Sequence, residues 1–255
     1  MDTTTTHAAR NAQHPTTAGN TAATSRRHDG YAGVHKALRL FMSDTLTRIG
    51  RTDPADDNEV RTTLAQVTDL MDLCELHIKD ENEFIHPALE RARPGSAARI
   101  AEEHVHHREA IDDLRDLTGL IADTHGDARG AALTRLYRAF GLFVAENFEH
   151  MHAEESEHNA ILWAHYTDAE LLAIEHELVA SIPPQAMVKA LHWFMPALNA
   201  PERAEMLGGM QAGMPPEAFL GVLGIARGTL SHADFAKLAH ALGVPTGLDP
   251  VSAAR

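Results

Sequence analysis

The sequence predicts an all-α protein, an up-down-up-down four-helix bundle with a C-terminal helical extension. Three observations carry this expectation. Ala, Leu and Glu are frequent, aromatic residues make up only 5% of the chain and β-branched runs are absent, a composition that favours helix over strand. Four long stretches between residues 29 and 166 repeat apolar side chains at spacings of three and four, the period of one helix face. Short segments rich in Gly, Pro, Asp and Asn separate them, and long helices joined by short turns pack as antiparallel neighbours. With 255 residues and 44% apolar content, the chain can bury a substantial core.

Residues 1–28 form the first expected segment, a disordered tail of Thr, Ala, Asn, Gln, Gly and Ser. Such a segment has too little apolar surface to offset the entropy of ordering. His7, His14 and His28 in or beside it are expected to have no specific role. From Asp29 a first helix runs to about residue 49, with Tyr31, Val34, His35, Leu38, Phe41, Met42 and Ile49 inward, and the turn 51–58 ends it. A second helix spans about 59–92 and stops at Arg93-Pro94-Gly95. A third starts near Ser96 as N-cap and carries Ile100, His104, His107, Ile111, Leu114 and Ile121 inward as far as His125-Gly126-Asp127. A fourth covers about 128–164. Residues 29–166 are thus the bundle, 167–245 the extension and 246–255 a closing tail.

The chemistry concentrates in two His-x-x-x-Glu steps, His77 with Glu81 and His150 with Glu154. Residues four apart lie one turn apart on one helix face, so both side chains can reach one metal ion. One such step is weak in a chain with 18 histidines. Here, however, both fall inside the apolar stripes of their helices: Leu70, Leu73, Cys74, Phe84, Ile85 and Ala88 in the second, Phe140, Phe143, Val144, Met151, Ile161 and Leu162 in the fourth. A buried carboxylate without a partner is very costly, so these pairs imply a cation or a tight hydrogen-bond network, and a metal is the better expectation.

The bundle topology tests this, because residues facing each other across an antiparallel hairpin are equidistant from its turn. His35 and His77 have their midpoint at 56, inside the turn 51–58. Glu81 and His104 meet at 92.5, in the turn 91–96, and His104 and His150 at 127, in the turn 125–128. At about 1.5 Å of rise per residue, a small slip still leaves all four helices delivering side chains to one layer.

His on the first helix, His-x-x-x-Glu on the second, His on the third and His-x-x-x-Glu on the fourth resemble the hemerythrin-like HHE cation-binding domains, over about residues 29–165. His35, His77, Glu81, His104, His150 and Glu154 occupy the signature positions. The resemblance implies a non-heme di-iron centre with Glu81 and Glu154 as bridging carboxylates and the histidines as terminal ligands; imidazole and carboxylate suit iron or manganese, and zinc is also accepted. Oxygen-carrying members place two histidines four apart on the third helix and end with an aspartate one residue further on the fourth. This chain has Arg108 where that second histidine would stand, and Glu154 on the fourth helix, which points away from reversible oxygen carriage. His107, three residues after His104, shares its face and is read either as a further ligand or as a group behind the ligands.

Three residues are candidates for the layer around the ligands: Tyr31 and Cys74, each one turn before a signature histidine, and His158, one turn past Glu154. Core packing is the plainer reading of each. His86, before Pro87, is read as an ordinary core or surface histidine or part of an outer polar layer. His106, His152 and His165 are expected in solvent, and Asp80, Glu83, Glu155 and Glu157 on a solvated face.

A net charge of −14 argues against nucleic acid or an anionic membrane surface as partner. The single cysteine rules out an intramolecular disulfide, a Cys-rich zinc site or an iron–sulfur cluster within the chain. No apolar run approaches about 20 residues and no hydrophobic signal core opens the sequence, so a cytoplasmic location is expected.

The extension is expected to hold a helix capped by Thr167 and running to about 181, then shorter helices at 185–198, 201–212, 215–223 or beyond, and 232–242. Pro183-Pro184, Pro196, Pro201, Gly213 and Pro215-Pro216 punctuate them. It has no second catalytic motif, and His192, His232 and His240 are read as structural. Its plain reading is a lid or flank on the bundle; a homodimer face or a cover over the metal are the others. Three functions follow: a di-iron protein that binds or senses O2, NO or peroxide, a di-iron oxidase or peroxidase-type enzyme on an unknown small substrate, or a protein whose metal is only structural.

Overall fold

A computed structural model describes residues 27–246; of the tails expected at 1–28 and 246–255, residues 1–26 and 247–255 lie outside the described residues. Every regular element among the described residues is helical. The first bundle helix is α1 (Ala32–Arg51). The second is α2 (Asp57–Asp80), continuing through a π-helical turn (Glu81–Ile85) into α3 (His86–Ala92). The third is α4 (Ala98–Ala122). The fourth is α5 (Gly126–Ala153), continuing through another π turn (Glu154–His158) into α6 (Asn159–His165). α1 packs on α2 and α5, and α4 on α2 and α5, so the four helices close a ring of antiparallel neighbours. The expected second and fourth helices are therefore each one rod with a widened turn in the middle.

Local chemistry fixes the ends. Asp56 caps α2 by accepting from the N–H groups of Asn58 and Glu59. The N-cap expected of Ser96 is not made: its hydroxyl turns back to donate to the carbonyl of Leu89, and the Glu90 carboxylate accepts from the N–H groups of Gly95 and Ala97 instead. Gly95 turns the chain at φ +83°, a conformation that penalises any side chain.

Arg27 and His28 do not belong to a loose tail. The Arg27 guanidinium donates to Asp168 and to the carbonyls of Trp163 and Tyr166 at the end of α6, and His28 Nε2 lies 2.9 Å from Glu175. These contacts supply partners for carbonyls that a helix end leaves open.

The main apolar core runs along the bundle, with Leu38, Phe41, Met42, Val67, Leu70, Met71, Ile111, Leu114, Leu136, Phe140 and Phe143 in it. A smaller cluster of Tyr31, Ala88, Leu89, Ala97, Leu162 and Leu171 lies beyond the π turns.

The extension comprises α7 (Asp168–Ser181), α8 (Pro184–Ala197), α9 (Ala200–Gly213), α10 (Pro216–Thr229) and α11 (His232–Leu242). Thr167 and Glu170 form a reciprocal capping box on α7, as do Asn199 and Glu202 on α9. α8 is two-sided: Ala190, Trp193 and Phe194 face the bundle, while Leu191 and Met195 join Leu207, Phe219, Leu223, Phe235 and Leu238 in a separate core. Trp193 stacks on Phe41 at 3.8 Å between ring centroids and 12° between planes. No helix among the described residues is long and apolar enough to cross a membrane.

Candidate metal centre

The four rods bring His35, His77, Glu81, His104, His150 and Glu154 into one layer, as the turn midpoints require. Their donor atoms sort into two clusters, each within 4.8 Å: His35, His77, Glu81 and Glu154, and Glu81, His104, His150 and Glu154. The carboxylates divide between the two. Glu81 Oε1 lies 3.2 Å from His77 Nε2 and 3.8 Å from His35 Nε2, while its Oε2 lies 3.3 Å from His104 Nε2. Glu154 Oε2 lies 3.4 Å from His35 Nε2, while its Oε1 lies 3.3 Å from His150 Nε2 and 3.9 Å from His104 Nε2. Each carboxylate thus offers one oxygen to each cluster.

Three of the four histidines are held by an outer partner, and each partner stands next to a ligand candidate on another helix. Asn82, after Glu81, meets His104 Nδ1 at 3.0 Å; Glu103, before His104, meets His150 Nδ1 at 2.8 Å; Glu155, after Glu154, meets His35 Nδ1 at 3.0 Å. An acceptor at Nδ1 holds the ring hydrogen there and turns a bare Nε2 inward, the arrangement that orients metal-bound imidazoles. His104 Nε2 and His150 Nε2 then point at each other across 3.1 Å. Burial opposes charge on His150, but Glu154 and Glu103 outweigh it and raise its pKa, so without a metal a proton can bridge the two nitrogens, in the place a cation would take. His35 Nε2, His77 Nε2 and all four oxygens of Glu81 and Glu154 are buried without a hydrogen-bond partner among the described residues. These orphaned donors fit a metal, as the composition of the set also does.

The electrostatics describe the layer without a metal. Burial opposes charge on His35, but its hydrogen bond to Glu155 and the nearby carboxylates of Glu81 and Glu154 outweigh it and raise its pKa to about 9, so without a metal the ring keeps a proton that a bound cation would displace. Burial brings His77 down to about 4, leaving a neutral imidazole. Burial would raise Glu81, yet His77, His104 and His35 hold it well below the ordinary glutamate value; Glu154 is raised by burial and then by the charge of Glu81. Two buried carboxylates side by side thus polarise in opposite directions.

With this layer in view, the hemerythrin HHE cation-binding domain family matches residues 29–161, more than half of the chain. The chain belongs to that family. No curated protein and no solved structure matches it. The HHE domain and its two His/Glu clusters together point to metal binding.

The other positions singled out in the HHE domain fall around this layer. His107 joins neither cluster; its ring meets that of His150 edge-on at 4.6 Å, its Nδ1 is buried without a partner, and burial brings its pKa to about 4. Arg108 is exposed. Cys74 lies in the main apolar core, where burial pushes its thiol up to about 12, so it stays protonated. Tyr31 is 3% exposed, and its hydroxyl meets His158 Nδ1 at 3.1 Å; burial and the nearby Glu154 hold its pKa well above the usual value, which removes the phenolate.

Asp80 and Glu155 are not on a solvated face. Asp80 is buried, and burial raises it to about 6; Glu155 is half-buried between His35 and Arg39, and although burial opposes its charge, the bonds to both bring it to about 2. His106, His152, His165, Glu83 and Glu157 are exposed, as expected. His86 is buried beside His104 with its ring stacked at 5.1 Å, and with His158 and Glu154 it makes a third cluster. Sequence reasoning missed Asn82, Glu103 and Glu155 because each helps a histidine on another rod. Their signal was adjacency to a ligand candidate.

Proposed function

We infer that the HHE domain holds a pair of non-heme metal ions, and that the pair binds or senses a small ligand such as O2, NO or H2O2. The observation that carries the reading is the division of Glu81 and Glu154 between two clusters, each with two imidazole nitrogens and two carboxylate oxygens. This donor set suits two iron ions, with manganese or zinc as alternatives. Such ions commonly accept five or six ligands, so four from the chain leave room for an exogenous one. When bound, iron would supply ligand exchange and one-electron chemistry at those open positions.

The chain's own residues do the rest. Asn82, Glu103 and Glu155 fix the rings of His104, His150 and His35 before any ligand arrives. Phe41, Ile111 and Phe143 are buried in the core, and half-buried Phe84 stands at the first π turn; such apolar walls limit water. His77, with 12% of its side chain exposed, is the most open of the six, which makes its side the entrance for a small molecule.

α1 favours sensing over a purely structural metal. It carries His35 and also Lys36, which donates to both oxygens of Glu202 on α9, and Phe41 beneath Trp193 of α8. A displacement of α1 at the pair therefore has a direct route to the extension. A small molecule, rather than nucleic acid or a membrane, is the partner that a chain of charge −14 admits.

The experiment adds azide, NO or peroxide to anaerobic, reduced, iron-loaded protein and records the visible spectrum with hydrogen exchange in 184–213. New charge-transfer bands and altered exchange are expected. Bands with unaltered exchange would remove the sensor role, and repeated consumption of peroxide would establish the oxidoreductase reading instead.

A further inference from the structure

Two histidines outside the family signature converge beside the pair. One ring nitrogen each of His86 and His158 and a Glu154 carboxylate oxygen lie within 4.8 Å of one another. His86 is 6% exposed, His158 2% and Glu154 0%, and His86 Nε2, His158 Nε2 and both Glu154 oxygens have no hydrogen-bond partner among the described residues. Buried polar atoms are nearly always partnered, so orphans on three converging side chains point to a ligand there.

The π turns put them in place. Glu81 and His86 are five apart, which on a regular α-helix sets them about 140° apart around the axis. The turn Glu81–Ile85 widens that step: the N–H of His86 donates to the carbonyl of Glu81, a bond spanning five residues, and His86 comes to stand over Glu81. Pro87 favours this, since it has no N–H and its ring clashes with the carbonyl four residues back. The second turn starts at Glu154 and ends on His158, with the N–H of Asn159 donating to Glu154. Each rod therefore follows its His-x-x-x-Glu step with a π turn that leads to another histidine. Tyr31 then orients His158 through Nδ1 at 3.1 Å, which leaves Nε2 as its unpartnered nitrogen, and the His86 and His158 rings meet edge-on at 5.8 Å.

We propose that His86, His158 and Glu154 form a third cation site, which takes a first-row transition-metal dication through two imidazole nitrogens and one carboxylate oxygen. This rests on the reading of Glu81 and Glu154 as ligands of a pair. Two histidines and a carboxylate are a sufficient set for Fe2+, Co2+ or Zn2+ and leave the remaining positions open. The third ion shares Glu154 with two other dications, so repulsion makes it the last to bind and the first to leave.

The test strips the full chain of metal by dialysis against a chelator and titrates it anaerobically with Co2+. Ions per chain are counted by native mass spectrometry, and visible absorption is recorded at each step. The expected result is three ions in the wild type, the third weaker, and two in H86Q/H158Q with the bands of the first two steps kept. Tyr31→Phe should keep three and weaken the third about ten-fold, the effect of losing an outer partner of a ligating histidine. Two ions in the wild type would overturn the third site and leave the pair standing, whether or not H86Q/H158Q folds. No bound ion would overturn both readings.

Discussion

In the extension, Leu191, Met195, Leu207, Phe219, Leu223, Phe235 and Leu238 close on one another. The buried Arg203 beside them donates from Nε and Nη2 to the carbonyls of Met195 and Leu198 and so finishes α8. In the layer of Glu81 and Glu154, by contrast, helix faces of the same kind surround carboxylate oxygens and imidazole nitrogens that have no hydrogen-bond partner among the described residues. Both regions are buried and both are helical. The first leaves one buried polar atom, Arg203 Nη1, without a partner, while the second gathers several such atoms in one layer, where a bound cation would satisfy them together. The difference teaches where stability and function separate in one chain, and it can be sharpened by perturbing each region.

Metal should produce the largest effect. An ion that binds only the folded chain stabilises it by about 4 kcal/mol at a thousand-fold excess over its Kd. Thermal unfolding with and without Fe2+ under anaerobic conditions measures this, and an unchanged Tm would erase the contrast.

Leu207→Ala should come next. Leu207 is 0% exposed in the extension core, so its truncation is expected to lower stability by about 3 kcal/mol. Metal content should stay the same, because the ligand layer belongs to another core. Denaturant unfolding and elemental analysis of one preparation check both halves.

Glu154→Gln reverses the sign. Removing a buried charge beside Glu81 should leave the metal-free chain about 1 kcal/mol more stable, while the stabilisation by metal falls. A large loss of stability without metal would mean that Glu154 is already satisfied by the protein.

The smallest effect lies at the edge between the two regions. His28 is raised above 6.5 by its hydrogen bond to Glu175, with burial acting against it. A group whose folded pKa is raised contributes stability that is fully present below pH 6.5 and is lost as pH rises through the folded pKa. Solvent screening at this half-exposed pair keeps the contribution under about 1 kcal/mol. Unfolding curves of His28→Gln and wild type should therefore converge at high pH; a constant gap would contradict the pair's role.

Much of the layer was legible in sequence because helical periodicity and turn positions fix height along a bundle. His35, His77, Glu81, His104, His150 and Glu154 needed only that arithmetic, and the helices of the extension were marked by Pro and by the Thr167 cap. His86 was not legible, since a period of 3.6 sends it off the face and only the π turn returns it. Glu103, Glu155 and Asn82 act on histidines of neighbouring rods, a relation that no single-helix pattern contains. Cys74 and His107 share a face with ligand candidates yet stand at another depth, in the apolar core and behind His150. Arg27 and His28 looked like tail because their partners lie about 140 residues away in sequence.

The most direct measurement of the central claim is the iron content of the purified, reconstituted chain after dialysis, compared with Glu81→Ala. About two ions per wild-type chain and fewer than one in Glu81→Ala are expected, since one carboxylate serves both clusters. Fewer than about one ion in the wild type, or equal contents in the two proteins, would contradict a pair bridged by Glu81 and Glu154.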